Sequence, residues 1–254
     1  MGRYYCLKKI IDFIKKISMA LISNKMYTSD DYVKNNPTWD DEDTVWKAKS
    51  IHGLLQINGI KPKTIVEVGC GAGGILRELA DLDSSIQTLT GYDISSAAIH
   101  LANQKPKKKV LYYQSDFINS NDPGGDLLLV VDVLEHIDDY YGFLNKLKNR
   151  STHIVFHIPL DLSCRNLLKP HTMLFQRNLV GHLHYFSKEM VEWALKDTGF
   201  TIIDWVYTKP AIDTKKASTL KDALKKVLRS ISFAVNKDWS AKMWGGYSMM
   251  ILAK

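Results

Sequence analysis

The stretch VEVGCGAGG at residues 66–74 constrains this chain most: a β-rich run breaks into four glycines and then opens a helical pattern. Glycine lets the backbone turn sharply and pass close beneath a nucleotide, and the start of the next helix offers free N–H groups to it. Strand, glycine turn and helix in that order form the first half of a βαβ unit, so a parallel strand should follow. The sequence supplies several. Short β-rich runs predict strands near 64–68, 87–92, 109–113, 126–131 and 152–158, alternating with helices near 73–82, 95–104 and 138–149. Such alternation builds a mostly parallel sheet with helices on both faces, a Rossmann-like α/β fold. The fourth run, DLLLVVD at 126–132, is apolar throughout, as a central strand covered on both sides must be.

Upstream, Asp43 or Thr44 can cap a helix whose inner face is Val45, Ala48, Ile51, Leu54 and Leu55, stopped by Asn58-Gly59 and Pro62. Residues 159–186 hold no long periodic segment and predict a lid or binding loop beside the substrate. A helix from Ser187 to Asp197 follows, then the strand FTIIDWVYT (200–208), an amphipathic helix from Thr219 to Val235 and a last strand, YSMMILA (247–253). The chain therefore divides into an N-terminal helical extension and cap over 1–60 and one α/β domain over 61–254, with a helical insertion at about 209–240.

The formal charge of +7 is unevenly placed. Residues 1–25 carry six basic residues against one acidic, residues 209–242 nine against three, and the remainder 19 against 23. The domain is mildly acidic and its two basic segments, 7–22 and 219–235, are amphipathic. Such helices can lie against an anionic membrane surface, so a cytoplasmic location is expected, with peripheral contact at the inner face of the membrane. The longest apolar runs, Leu127–Val131 and Met249–Ala253, are far short of the ~20 residues that span a bilayer. No signal-peptide pattern is expected at the lysine-rich N-terminus. Cys6, Cys70 and Cys164 are scattered, and no metal-ligand spacing is visible, so neither a disulfide framework nor a metal is expected.

The glycines alone do not choose a cofactor. G-x-G-x-x-G also fits a dinucleotide-binding oxidoreductase, with Asp93 about 20 residues on as ribose ligand. The rest of the series resembles the class I S-adenosylmethionine-dependent methyltransferases. Glu67 matches their acidic residue at the methionine amino end of the cofactor. The segment GYDIS (91–95) matches the end of their second strand, where Asp93 would take the ribose hydroxyls with Ile94 beside it. SDF (115–117) would place Asp116 on the adenine amino group and Phe117 near its ring. DVLEH (132–136) looks like the segment after their fourth strand, where Asp132, Val133 and Leu134 line the cofactor and His136 faces the methyl group. The resemblance implies cofactor contacts at Glu67, Gly69, Cys70, Gly71, Gly73, Asp93, Ile94, Asp116, Phe117, Asp132, Val133 and Leu134. It also implies a seven-stranded sheet with an antiparallel last strand and S-adenosylhomocysteine as product.

His136, and after it His184 in GHLHYFSKE (181–189), are the candidates for the base that takes the acceptor's proton. The motifs of nucleic-acid base methylation are missing, so the expected partner is a small molecule or glycan and not nucleic acid. NPTW (36–39) and EDTVWKA (42–48) are similar to bacterial surface-polysaccharide methyltransferases, which implies O-methylation of a sugar precursor; a quinone, phenol or other small metabolite is the alternative acceptor.

Overall fold

The computed structural model describes residues 43–214 and 218–254. The expected helix at 7–22 and the NPTW segment lie outside them. The sheet has seven strands: β1 (Thr64–Val68), β2 (Thr88–Asp93), β3 (Val110–Gln114), β4 (Leu127–Val131), β5 (His153–Pro159), β6 (Ile202–Thr208) and β7 (Ser248–Ala253). Their order is β3-β2-β1-β4-β5-β7-β6. Six strands run in one direction, while β7 inserts between β5 and β6 and is antiparallel to both. This is the Rossmann-like arrangement with a reversed last strand that the sequence led us to expect. A dinucleotide-binding sheet of order 3-2-1-4-5-6 contains no such strand.

β4 shows why its sequence is apolar throughout. Leu128 and Val130 face one core with Phe143 and Leu144 of α4 (Tyr140–Leu147) and Val191 and Leu195 of α7 (Lys188–Asp197). Leu127, Leu129 and Val131 face the other, with Ile51 and Leu54 of α1 (Thr44–Ile57) and Leu76 and Leu79 of α2 (Gly74–Leu82). The period of two along the strand sends alternate side chains to opposite faces, and both faces are dry. Helix α1 therefore belongs to the same core as the sheet, although the sequence division placed it with the N-terminal extension. Its inner face differs in one residue: Val45 is exposed, and Thr44 is buried in its place. Helix α3 (Ser96–Asn103) completes the βαβ series, capped by Ser95, whose Oγ accepts from Ala98 N.

Two regions depart from the sequence reading. Residues 159–186, expected as a loop, contain a short turn α5 (Cys164–Leu167) and the 11-residue helix α6 (Pro170–Val180). Pro170 opens α6 and Gly181, at φ 81°, closes it; none of the described side chains along it is fully buried, so no apolar stripe announces it. After β6 come α8 (Pro210–Asp213), α9 (Leu220–Val235) and α10 (Lys237–Trp244), the last capped by Asn236 and absent from the sequence reading. The apolar stripe of α9 stays open to solvent: Leu220, Leu224, Ile231 and Val235 are 87, 59, 57 and 83% exposed. Among the described residues no helix is long and apolar enough to cross a membrane.

Candidate active site

The site is built at the C-terminal ends of β1, β4 and β5, where parallel strands leave a crevice. After Val68 the chain turns through Gly69, Gly71 and Gly73, with φ of 70°, 52° and 73°. Gly69 N and Cys70 N both donate to the Tyr92 carbonyl, tying the turn to the end of β2. A Cβ on Gly69 would stand 2.6 Å from Val133 Cγ2, so only glycine lets the segment after β4 close over the turn. Asp93 braces the same turn: Oδ2 accepts from Gly71 N at 2.9 Å and Oδ1 from Ser95 N at 2.8 Å. Burial raises its pKa against those hydrogen bonds. Each oxygen keeps a second lone pair.

Glu67, 2% exposed, stands beside the turn with Oε2 lacking any hydrogen-bond partner. Burial pushes its carboxyl up to about 8, with Lys47 opposing. Next to it, Asp132 adopts the left-handed conformation at φ 52°. Its Oδ2 lies 2.8 Å from Lys47 Nζ and its Oδ1 2.6 Å from His157 Nδ1, while His157 Nε2 is 2.8 Å from Thr208 Oγ1. Burial would raise the pKa of Asp132, but His157 and Lys47 overcome it and hold the carboxylate well below its ordinary range.

These groups line a cavity of about 460 Å³. Its lining brings together the glycine turn and Glu67, the cluster of Lys47, Asp132 and His157, the side chains of Phe175, Gln176, Leu179 and Val180 from α6, and a group made of Glu135, His136 and His182. The backbone joins this last group, because Leu183 N and His184 N both donate to the Glu135 carbonyl, at 2.8 and 3.1 Å. His136 and His182 pack edge to face, ring centroids 4.9 Å apart. His136 Nδ1 is 3.3 Å from the Gly181 carbonyl and Nε2 is 3.9 Å from Glu135 Oε1. Burial, then the neighbouring His182, push the His136 imidazole down to about 4, so it is neutral at pH 7. Glu135 is 1% exposed, its Oε2 has no hydrogen-bond partner, and burial followed by Asp132 raises its pKa far above normal.

Of the residues singled out in the sequence, Glu67, Gly69, Cys70, Gly71, Asp132 and His136 line this cavity. Gly73 and Val133 shape the turn, whereas Asp93, Ile94 and Asp116 stand outside the cavity at the ends of β2 and β3. Three assignments need correction. Phe117 is buried in the core under Tyr92, with the Arg150 guanidinium 4.3 Å from its ring centre, so it has no face to offer an adenine. Leu134 is likewise a core side chain. His184 does not line the cavity; its Nε2 is 3.1 Å from the Asp138 carbonyl and its ring packs on Tyr140. Sequence reasoning overlooked Lys47, Glu135 and the α6 wall. The EH pair at 135–136 was the one local signal for Glu135.

A family model described as a methyltransferase domain matches residues 43–204. The chain belongs to that family, and so to the class I S-adenosylmethionine-dependent methyltransferases. Among curated proteins it is similar to a ubiquinone biosynthesis O-methyltransferase of Histophilus somni (strain 2336), 29% identical over 130 residues, which are 47% of this chain and 46% of that protein. The chain thus spans about half the length of the curated relatives it matches, 46% and 53%. Among solved structures, the plantazolicin methyltransferase BpumL in complex with SAH superposes with a TM-score of 0.62 at 18% identity, covering 98% of each chain. Magnesium protoporphyrin IX methyltransferase (ChlM) from Synechocystis PCC 6803 with bound SAH gives 0.54 at 17%, covering 82% of this chain and 81% of that one.

The Asp132 cluster ties α1, β4, β5 and β6 through partly desolvated charge. Removing one partner of such a pair strands the other, so Asp132→Ala should cost about 3 kcal/mol at pH 7. The folded pKa lies below the unfolded value of ~3.9, so the contribution is present above that pH and lost as pH falls below it. Urea unfolding of both proteins at neutral and acid pH should show the gap narrowing toward acid; equal stability at pH 7 would show that the cluster contributes nothing.

Proposed function

We propose that this cavity binds S-adenosylmethionine along the glycine turn and that the enzyme methylates an oxygen of a small molecule held between α6 and the His136 end. Glu67 is the observation that carries the reading: a buried carboxylate with an unpartnered oxygen, beside a glycine turn and in one cavity with His136. Such a carboxylate is costly unless a cation meets it, and the ammonium of an amino-acid moiety is that cation. The spare lone pairs of Asp93 suit two ribose hydroxyls, each bond strengthened by the charge. The partly open Asp116, whose Oδ1 accepts from Ile118 N, suits the adenine amino group.

When bound, the cofactor supplies an electrophilic methyl group on a sulfonium. The protein's residues then have to hold an acceptor oxygen in line with that carbon, and orientation of this kind supplies much of the acceleration in group transfer. Phe175, Leu179 and Val180 offer an apolar wall, and the imidazole end offers the polar contacts. This combination fits a hydroxylated ring. The O-methyltransferase relatives of ubiquinone biosynthesis support the same acceptor class over the sugar precursor suggested by residues 36–48.

Titration calorimetry with S-adenosylhomocysteine at pH 7, repeated in buffers of different ionisation enthalpy, tests the cofactor half. Glu67 is mostly protonated in the free site, so binding should release close to one proton per ligand. Glu67→Gln should abolish that release and weaken binding by about 1.5–3 kcal/mol; unchanged release in the variant removes Glu67 from the reading. For the acceptor half, methyl transfer is measured on a panel of phenols, dihydroxyaromatic acids and sugar nucleotides. Turnover on the aromatic hydroxyls alone is expected, and turnover on the sugars alone would return the acceptor to the glycan class.

For the open stripe of α9 we propose contact with an anionic lipid surface. Arg165, Lys225, Lys226 and Arg229 line a second cavity of about 400 Å³ together with Asp161 and Asp222, a basic excess beside the helix that would attract anionic headgroups. Sedimentation with vesicles containing phosphatidylserine should carry the protein down at low salt and release it at high salt. Protein remaining in the supernatant at low salt overturns this contact.

A further inference from the structure

We infer that Glu135, His136 and His182 form a divalent-cation site at the acceptor end of the cavity, and that the cation takes the acceptor's hydroxyl oxygen as a ligand. The inference rests on the methyltransferase reading and adds to it a metal that the spacing of residues in the sequence does not announce.

One donor atom from each of the three side chains lies within 4.8 Å of the others. Around a cation with bonds of ~2.1 Å, neighbouring donors stand roughly 3 Å apart, so modest side-chain rotation closes the set. Nδ1 of His136 is 3.3 Å from the Gly181 carbonyl, and its Nε2 is 3.9 Å from Glu135 Oε1. Nδ1 of His182 is buried without a hydrogen-bond partner among the described residues, although Asp161 Oδ2 stands 3.2 Å away. Asp161 is itself held by Gln176 Nε2 at 3.0 Å. A carbonyl behind the imidazole, as at His136, is the usual outer arrangement of a metal-bound histidine, where it orients the ring and raises its basicity.

Glu135 supplies the second, independent observation. It is 1% exposed, lines the cavity, and Oε2 has no hydrogen-bond partner. A core position tolerates such a group when a cation completes it. The backbone explains why the three meet: the paired hydrogen bonds from Leu183 N and His184 N to the Glu135 carbonyl clamp the segment after α6 against the turn after β4.

Two imidazoles and one carboxylate favour a borderline cation such as Mn²⁺, Co²⁺ or Zn²⁺ over Mg²⁺ or Ca²⁺. Three protein ligands leave positions open, as in sites where the metal works on a substrate. The bound hydroxyl becomes more acidic and loses its proton to solvent. Its oxygen then forms the O–CH₃ bond while the S–CH₃ electron pair returns to sulfur, so the sulfonium becomes a thioether and no atom changes oxidation state through the metal. Phe175 and Leu179 of α6 line the same cavity and would keep water from competing with the acceptor.

The test uses the full chain, stripped with EDTA and titrated with MnCl₂, ZnCl₂ or MgCl₂ by calorimetry, with Mn²⁺ also followed by electron paramagnetic resonance. Wild type should bind one equivalent of Mn²⁺ or Zn²⁺ more tightly than Mg²⁺. Glu135→Gln and His182→Asn should each weaken it by on the order of 100-fold, and Asp161→Asn by roughly 10- to 100-fold. S-adenosylhomocysteine affinity, measured on the same samples, should stay within about threefold and shows that each variant is folded. Absence of saturable binding to wild type, or affinity unchanged in both Glu135→Gln and His182→Asn, overturns the site. Stoichiometric metal binding by a wild type that fails to bind S-adenosylhomocysteine would uphold the site and overturn the cofactor reading.

Discussion

The rest of the site depends on Asp132. This carboxylate ends β4 in a left-handed conformation and lies between Lys47 of α1 and His157 of β5, with Thr208 of β6 behind the histidine. Four elements that are distant in sequence are thereby fixed at one point, at the strand ends where the crevice opens. The charges suit one another only in this arrangement, because a buried carboxylate that loses its cation must be protonated or moved. Trp46, whose ring stands edge-on to His157 at 6.3 Å, packs beside it and keeps α1 in place. The geometry of the glycine turn and of Glu135 follows from where this cluster holds β4.

Lys47 pairs with Asp132, while Glu67 and Glu135 each present a buried oxygen with no hydrogen-bond partner among the described residues, both lining the same space. In a core these would be faults in packing. For the two ligands proposed above, an ammonium and a divalent cation, they are the complement. The protein alone leaves both carboxylates more easily protonated than in water, and such cations would restore their ionised form. In that reading binding and local electrostatics are coupled at both carboxylates by the same physical cause, which is desolvation.

The wall formed by α6 joins this electrostatic frame to an acceptor. It places Phe175 and Leu179 toward the cavity while Gln176 steadies Asp161 and, through it, His182. One helix thus contributes both apolar surface and orientation of the imidazole end. Few of its residues are buried, which leaves it less firmly attached than α4 or α7, the helices that pack into the core.

The sheet and most of its helices were legible in the sequence because burial imposes period on it. β4 is covered on both faces and is apolar at every position; α7 has a stripe and ends at Gly199. The glycine turn, Glu67 and Asp93 were legible because they are local, lying within one βαβ unit. Helix α6 was not, since it buries too little to leave a pattern, and α10 was lost behind the longer α9. Phe117 was misplaced because a residue that follows a strand can turn into the core or out of it, and the backbone after Asp116 turns inward. By itself, then, the sequence determined the α/β class, the nucleotide-type turn and the superfamily, all of which rest on short-range pattern. Only the tertiary structure decided that Lys47 meets Asp132, that His184 points away, and that His182 joins Glu135 and His136. Those meetings depend on long-range backbone hydrogen bonds and desolvated charge, and neither leaves a periodic trace along the chain.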